Sequence, residues 1–233
     1  MAARVTTLPT TMPTANLHRL LQLVSPTLPV GAFTYSQGLE WAVERGWVDG
    51  EATLEAWTES LLCQPMARLE VPLLGRLHQA AAADDRQALA GWTRELLASR
   101  ETRELRQEER QRGRALAALL QDLGLLDASL ATIARDSQLT GFAVAAVRWE
   151  IPLPAAAQGH LWSWLEGSVL AGVKLIPLGQ TAGQRILARL SPRLPALVQT
   201  GLALDDDEIG AGCSAQLIAS SRHETQYTRL FRS

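Results

Sequence analysis

Apolar residues return at intervals of three and four from Leu17 almost to the end of this chain, and no run of alternating β-branched residues interrupts them, so helices are the element it can build. Leu17, Leu20, Leu21 and Val24 make a first stripe behind the caps Thr14 and Asn16, ended by Pro26 and Pro29. Thr34 and Gln37 form a capping box for a second helix that turns Leu39, Ala42 and Val43 inward and stops at Gly46. Leu54, Trp57 and Leu61 mark a third, closed by Pro65. Leu73, Leu74, Leu77 and Ala80 mark a fourth, and Leu89, Trp92 and Leu96 a fifth. From Ser99 an arginine- and glutamate-rich stretch leads into Leu116, Leu119, Leu120 and Leu123, which predicts a projecting helix with a solvated N-terminal half. Leu130, Ile133 and Ala134 give a short helix, and Leu139, Phe142, Ala143, Ala146 and Val147 a more buried one. Leu161, Trp162, Leu165 and Val169 lead to Lys174, and Pro177 with Gly179 separates that helix from one carrying Ile186, Leu187 and Leu190. Ser191-Pro192 starts another, with Leu194, Leu197 and Val198 inward.

This pattern predicts an all-α fold, a single-domain bundle of about ten helices joined by short loops. Residues 1–15, rich in Thr and Pro, are expected to be a flexible tail, 16–220 the helical domain, and 221–233 a C-terminal tail that binds a partner. The net charge of −2, with acids and bases interspersed, offers no basic field for nucleic acid or an anionic membrane. Apolar runs are broken well before the roughly 20 residues of a membrane span, and the N-terminus lacks the apolar block of a signal peptide. Cys63 and Cys213 form no C-x-x-C pair, so reduced thiols and a cytoplasmic location are the expectation.

The signatures of several chemistries are missing. No G-x-x-x-x-G-K-[ST] loop exists to cradle nucleotide phosphates. Gly210-Ala211-Gly212 follows an acidic loop (Asp205 to Glu208) instead of a strand and reads as a hinge before a helix. His223-Glu224 begins like a zinc-protease helix, but Tyr227 stands where the second histidine belongs. His18, His78, His160 and His223 lack the spacing of a metal site within one element, and neither a G-x-S-x-G elbow nor a nucleophilic cysteine context appears. No catalytic, cofactor-binding or metal residue is assigned.

Binding candidates remain. Lys174 is the only lysine, against twenty-one arginines, and it interrupts the apolar run from Val169 to Leu178. A compact ammonium kept where arginine is otherwise preferred fits a binding charge, and equally a stem that covers the core while its head reaches water. Ser25 to Glu40 is a proline-fixed loop ending in an aromatic and hydroxyl cluster, either a connection packed by Phe33 and Tyr35 or a contact surface. Arg100 to Arg114 holds six arginines and four glutamates and reads as a solvated helix face. The last segment sets Tyr227, Leu230 and Phe231 on one helical face among Arg222, Arg229 and Arg232, so it docks on its own domain or is held for a partner.

Taken together, Leu28-Pro29-Val30-Gly31 with Phe33 to Glu40, Arg100 to Arg106, Ala171 to Gln180 and the tail Arg222 to Ser233 resemble the UreF family of urease accessory proteins, in order and over nearly the whole length. Ala32 stands where the family often has a second glycine, and Thr228 where serine is frequent. The resemblance implies an all-helical cytosolic protein without catalytic activity of its own, which dimerises and joins UreD (also called UreH), the nickel-binding GTPase UreG and the urease apoprotein. It further implies coupling of GTP hydrolysis to nickel metallocentre assembly. By the same resemblance, Lys174, Tyr35 and Glu40 fall to the GTPase face. Arg222, His223, Glu224, Tyr227, Arg229, Leu230 and Phe231 fall to the UreD/UreH face. A generic all-helical adaptor and a helical enzyme of unknown substrate are the competing classes.

Overall fold

The computed structural model describes residues 12–31 and 34–233, and every regular element among them is helical. In chain order these are α1 (Thr14–Leu23), α2 (Leu39–Glu44), α3 (Glu51–Leu61), a π-helical stretch (Leu62–Glu70), α4 (Val71–Ala82) and α5 (Arg86–Ala98). They continue with α6 (Arg103–Asp122), α7 (Ala128–Ala134), α8 (Gln138–Arg148), α9 (Leu153–Leu175), α10 (Gln180–Leu190), α11 (Leu194–Leu202) and α12 (Ser214–His223). Much of the expected N-terminal tail, together with Ala32 and Phe33, lies outside the described residues; α1 begins at Thr14, inside the tail's expected bounds.

Side-chain caps set several helix starts. Asp85, Thr102, Asp127 and Ser137 each accept a backbone N–H from the first turn that follows, a contact worth about 1 kcal/mol apiece. The expected capping box at Thr34 and Gln37 is not formed. Gly38 instead caps α2 at φ 88°, and a Cβ there would meet the Ser220 backbone nitrogen at 2.7 Å, so glycine serves both the left-handed turn and the close approach of α12. Pro65 does not close a helix either. The chain passes through it in the π-helical stretch, so α3 and α4 form one uninterrupted helical run. Ser191-Pro192 opens a single 3₁₀ turn that flows directly into α11.

The core centres on α8, whose residues from Leu139 to Ala146 are all buried between α4 and α6. Its small residues allow that close packing. Gly113 of α6 continues the same logic: a Cβ there would lie 2.7 Å from the Ser137 nitrogen at the start of α8. Leu73, Leu74 and Leu77 of α4, Leu116 and Leu120 of α6 and Leu161, Leu165 and Val169 of α9 complete the interior. Each large side chain so buried contributes about 1.5–3 kcal/mol. On the outside, Glu51, Glu55 and Glu59 of α3 pair in register with Arg185 and Arg189 of α10 and Arg193 just beyond it. Among the described residues, no helix is long and apolar enough to cross a membrane.

Two expectations fail in the polar regions. The N-terminal half of α6 does not project: Glu104, Leu105, Glu108 and Glu109 are buried. The C-terminal segment does not present one helical face, because α12 ends at His223 and the chain then runs through turns.

Candidate functional site

Three glutamates of α6 organise the polar centre, and each is matched by donors brought from elsewhere in the chain. Glu109 accepts from Arg100 at 2.7 Å and from the Ser137 hydroxyl at 2.8 Å. The same Arg100 nitrogen reaches Glu70, at the end of the π-helical stretch, at 2.6 Å, and Glu70 also meets His160 Nε2 at 2.7 Å. Burial alone would raise the Glu70 pKa, but the charges and hydrogen bonds of Arg100 and His160 outweigh it and hold the carboxyl well below its ordinary range. Arg100 answers in kind: burial works against its charge, while Glu70 and Glu109 hold its pKa above the usual arginine value.

Glu108, on the neighbouring side of α6, accepts from Gln37 at 3.0 Å, from Arg112 at 2.9 Å and from the Ser233 hydroxyl at 3.2 Å. Burial prevails here over these partners and keeps its pKa above the ordinary carboxylate value. Gln37 passes the network on to the Trp164 indole, which donates to its side-chain oxygen at 3.0 Å.

Glu104 and Glu40 hold the C-terminus. His223, fully buried, sets Nδ1 at 2.8 Å from Glu104 and Nε2 at 3.3 Å from Glu40. Arg229 donates to Glu104 at 2.9 Å. Glu40 accepts the backbone N–H of Leu230 at 2.6 Å and that of Phe231 at 2.8 Å, one on each oxygen. Further along, the Arg232 N–H reaches the Thr34 carbonyl, and the Ser36 and Gln37 amides donate to the Ser233 carbonyl. Residues 224–233 are thereby strapped across α2 and the loop before it. Phe231 is buried beneath the strap, whereas Tyr227 is 103 % and Leu230 69 % exposed on its outer side.

The residues expected to meet partners therefore divide by location. Lys174, Arg222, Tyr227, Arg229 and Leu230 lie on the surface, and Glu224 is half-buried. Tyr35, Glu40, His223 and Phe231 are inside. Tyr35 donates its hydroxyl to Gln111 at 2.7 Å. Lys174 stands at the mouth of a cleft of about 100 Å³, which shares Arg112 and Ser163 with two smaller voids, of about 30 and 40 Å³, that lead back to Glu108, Glu70 and His160. The two inner voids admit a few waters and nothing larger. A separate apolar groove of about 770 Å³ lies between α1, α9 and α11, lined by Leu20, Leu21, Val24, Pro154, Trp162 and Leu194.

Sequence reasoning missed Glu70, Arg100, Glu104, Glu108, Glu109 and His160. The available signal was phase: the apolar stripe Leu120, Leu116 and Gly113, followed backward at steps of three and four, passes through Glu109 and Leu105. Among the described residues, no group of three or more His, Cys, Asp or Glu side chains is arranged to hold a metal ion. The carboxylates are spent on N–H and O–H donors of the chain itself.

Fold and site thus define an all-α protein whose buried charges hold its own helices and C-terminal strap in place. The chain belongs to the UreF family: the family model matches residues 48–191. It is 55 % identical over 219 residues to the urease accessory protein UreF of Pseudomonas putida (strain W619), covering 93 % of this chain and 97 % of that one. With the protein of the same name from Alcanivorax borkumensis it shares 53 % identity over 222 residues, 92 % of this chain and 97 % of the relative. The Escherichia coli O157:H7 (strain EC4115) relative, also named urease accessory protein UreF, is 47 % identical over 224 residues, covering 95 % of this chain and all of its own.

Proposed function

We propose that this protein acts in the cytoplasm as a non-catalytic scaffold of urease maturation, joining UreD/UreH, the GTPase UreG and the urease apoprotein so that GTP hydrolysis is coupled to nickel insertion. Family membership supports the urease role. The observation that carries the scaffold reading is the strap, which keeps Phe231 as an anchor inside and offers Tyr227 and Leu230 outside, with Arg222 and Arg232 also exposed. Tyrosine and arginine on an ordered segment are the groups that anchor interfaces. We assign this surface to UreD/UreH.

Lys174, exposed beside its cleft, is the charge offered to UreG. A point charge on a flexible stem suits an acidic patch on that partner, while direct stabilisation of transferring phosphate is the usual task of an arginine. The scaffold works by differential binding: it favours the GTP-bound state of UreG and releases the partner after hydrolysis, because a binder indifferent to the two states shifts nothing. The apolar groove between α1, α9 and α11 supports a homodimer. Leu21 of α1 lines it, and Leu17, one turn earlier on the same helix, is also exposed, an apolar surface that a second copy of the chain would cover.

The test is urease activation in cells that carry the chain without residues 225–233. Loss of nickel-loaded urease, together with loss of UreD/UreH co-purification, is the expected result. Normal activation by the shortened chain would end this reading.

A further inference from the structure

Glu40 and His223 sit in the part of the sequence that reads as partner contact, yet both are buried, and their polar atoms are turned on the strap and on Glu104. A carboxylate that accepts two successive backbone N–H groups, one on each oxygen, fixes the local pose of that backbone. Here the pose sends Phe231 inward and Leu230 outward. His223 stands between two carboxylates, and its protonation state decides how many it serves. The imidazolium donates from both ring nitrogens, to Glu104 and to Glu40, whereas the neutral ring has one N–H and turns a lone pair on the other carboxylate.

We propose that Glu40 and His223 are positioning residues: a proton-dependent clamp that holds residues 229–231 in the pose presenting Tyr227 and Leu230 to UreD/UreH. This rests on the reading of the strap as the surface that meets that partner. The charged groups that face His223 are Glu40 from α2, Glu104 from α6 and, through Glu104, Arg229 of the strap. Glu224, next in sequence, is turned away to the Arg103 and Glu104 backbone N–H groups and to the Arg103 guanidinium at 3.8 Å, and Glu108 is occupied by Gln37, Arg112 and Ser233. With His223 charged, two carboxylates face two cations. With it neutral, they face Arg229 alone.

Burial works against the imidazolium, but Glu104 and then Glu40 outweigh it and keep the His223 pKa above its ordinary value. A histidine raised in this way stabilises the clamp fully below the ordinary histidine value, and that stabilisation is lost as pH rises through the raised one. The strap therefore loosens on the alkaline side.

The experiment is hydrogen exchange at the Leu230 and Phe231 amides of the full chain, expressed as protection relative to free peptide, with the buried amides of α8 as internal reference. In the parent, strap protection is lost progressively as pH rises and His223 deprotonates, while the α8 reference stays constant. Glu40→Gln lowers protection across the pH range, and His223→Gln removes the pH dependence; α8 is unchanged in both. UreD/UreH affinity falls in the same order. Should Glu40→Gln expose α8 as well, His223→Gln alone decides. Parent-like protection in Glu40→Gln, or a parent-like pH profile in His223→Gln, overturns the clamp. A Glu40→Gln chain whose strap amides are free but whose partner affinity is that of the parent overturns the positioning role and leaves the strap as contact surface intact. If the chain lacking residues 225–233 binds UreD/UreH normally, the contact surface is wrong, and the clamp stands or falls on the exchange data.

Discussion

Tyr227 and Phe231 lie four residues apart on one strap and face opposite ways, Phe231 buried against the domain and Tyr227 wholly in solvent. Their substitutions should separate accordingly. Tyr227→Ala removes no internal contact and should leave stability within about 0.5 kcal/mol of the parent. Phe231→Ala removes the apolar anchor of the segment and should free the strap, read as rapid proteolysis after Arg229 or Arg232, while the helical circular dichroism stays constant. A Tyr227→Ala chain that melts like a core mutant would contradict this placement.

Arg100 carries the buried charges of the centre, between Glu70 and Glu109. Arg100→Met leaves both carboxylates buried without their cation, and thermal or urea unfolding should show a loss of about 3–5 kcal/mol. The pH dependence has a definite sign. Because the folded Glu70 pKa is depressed, its contribution is present above the ordinary carboxylate range and disappears as pH falls through the folded value, so the parent should weaken in acid. Glu51, lowered to about 2 by hydrogen bonds from Arg185 and Arg189, acts in the same direction at the surface.

Periodicity made the helices legible because burial of an apolar stripe dictates spacing, and α4, α8, α9 and α10 follow theirs closely. The charged half of α6 was not legible in that way. Counting charges treats Glu104, Glu108 and Glu109 as solvent-facing, whereas their place in the apolar phase, with Arg100 and His223 brought from outside the helix and Arg112 from its next turn, puts them inside. No local rule reveals a partner more than a hundred residues away. Pro65 misled for a related reason: proline breaks an α-helical ladder, but a π-helical stretch with its wider spacing carried the chain past it. The strap was legible as a dilemma, docked or held for a partner, and its geometry gives it an inner and an outer side.

The groove between α1, α9 and α11 gives a direct expectation for self-association. Trp162→Glu places a charge on its wall, and Leu21→Glu one on its exposed lip. Light scattering should report a dimer for the parent and a monomer for either variant, with helical content retained. Parent-like mass in both variants would remove this surface from consideration.

Lys174→Ala should bind UreG more weakly and lower urease activation, and Lys174→Arg should restore the loss only in part, because a planar guanidinium does not replace a compact ammonium. Equal activation by all three chains would show that Lys174 merely covers the core with its stem.

The outer side of the strap is the centre of the proposed function, and the affinity of purified UreD/UreH for the Tyr227→Ala, Leu230→Ala double variant measures it most directly. With the helical fold and the buried Phe231 anchor unchanged, binding should weaken by about 2 kcal/mol or more, close to thirtyfold, as expected for interface anchors. Undiminished affinity in a correctly folded double variant would contradict it.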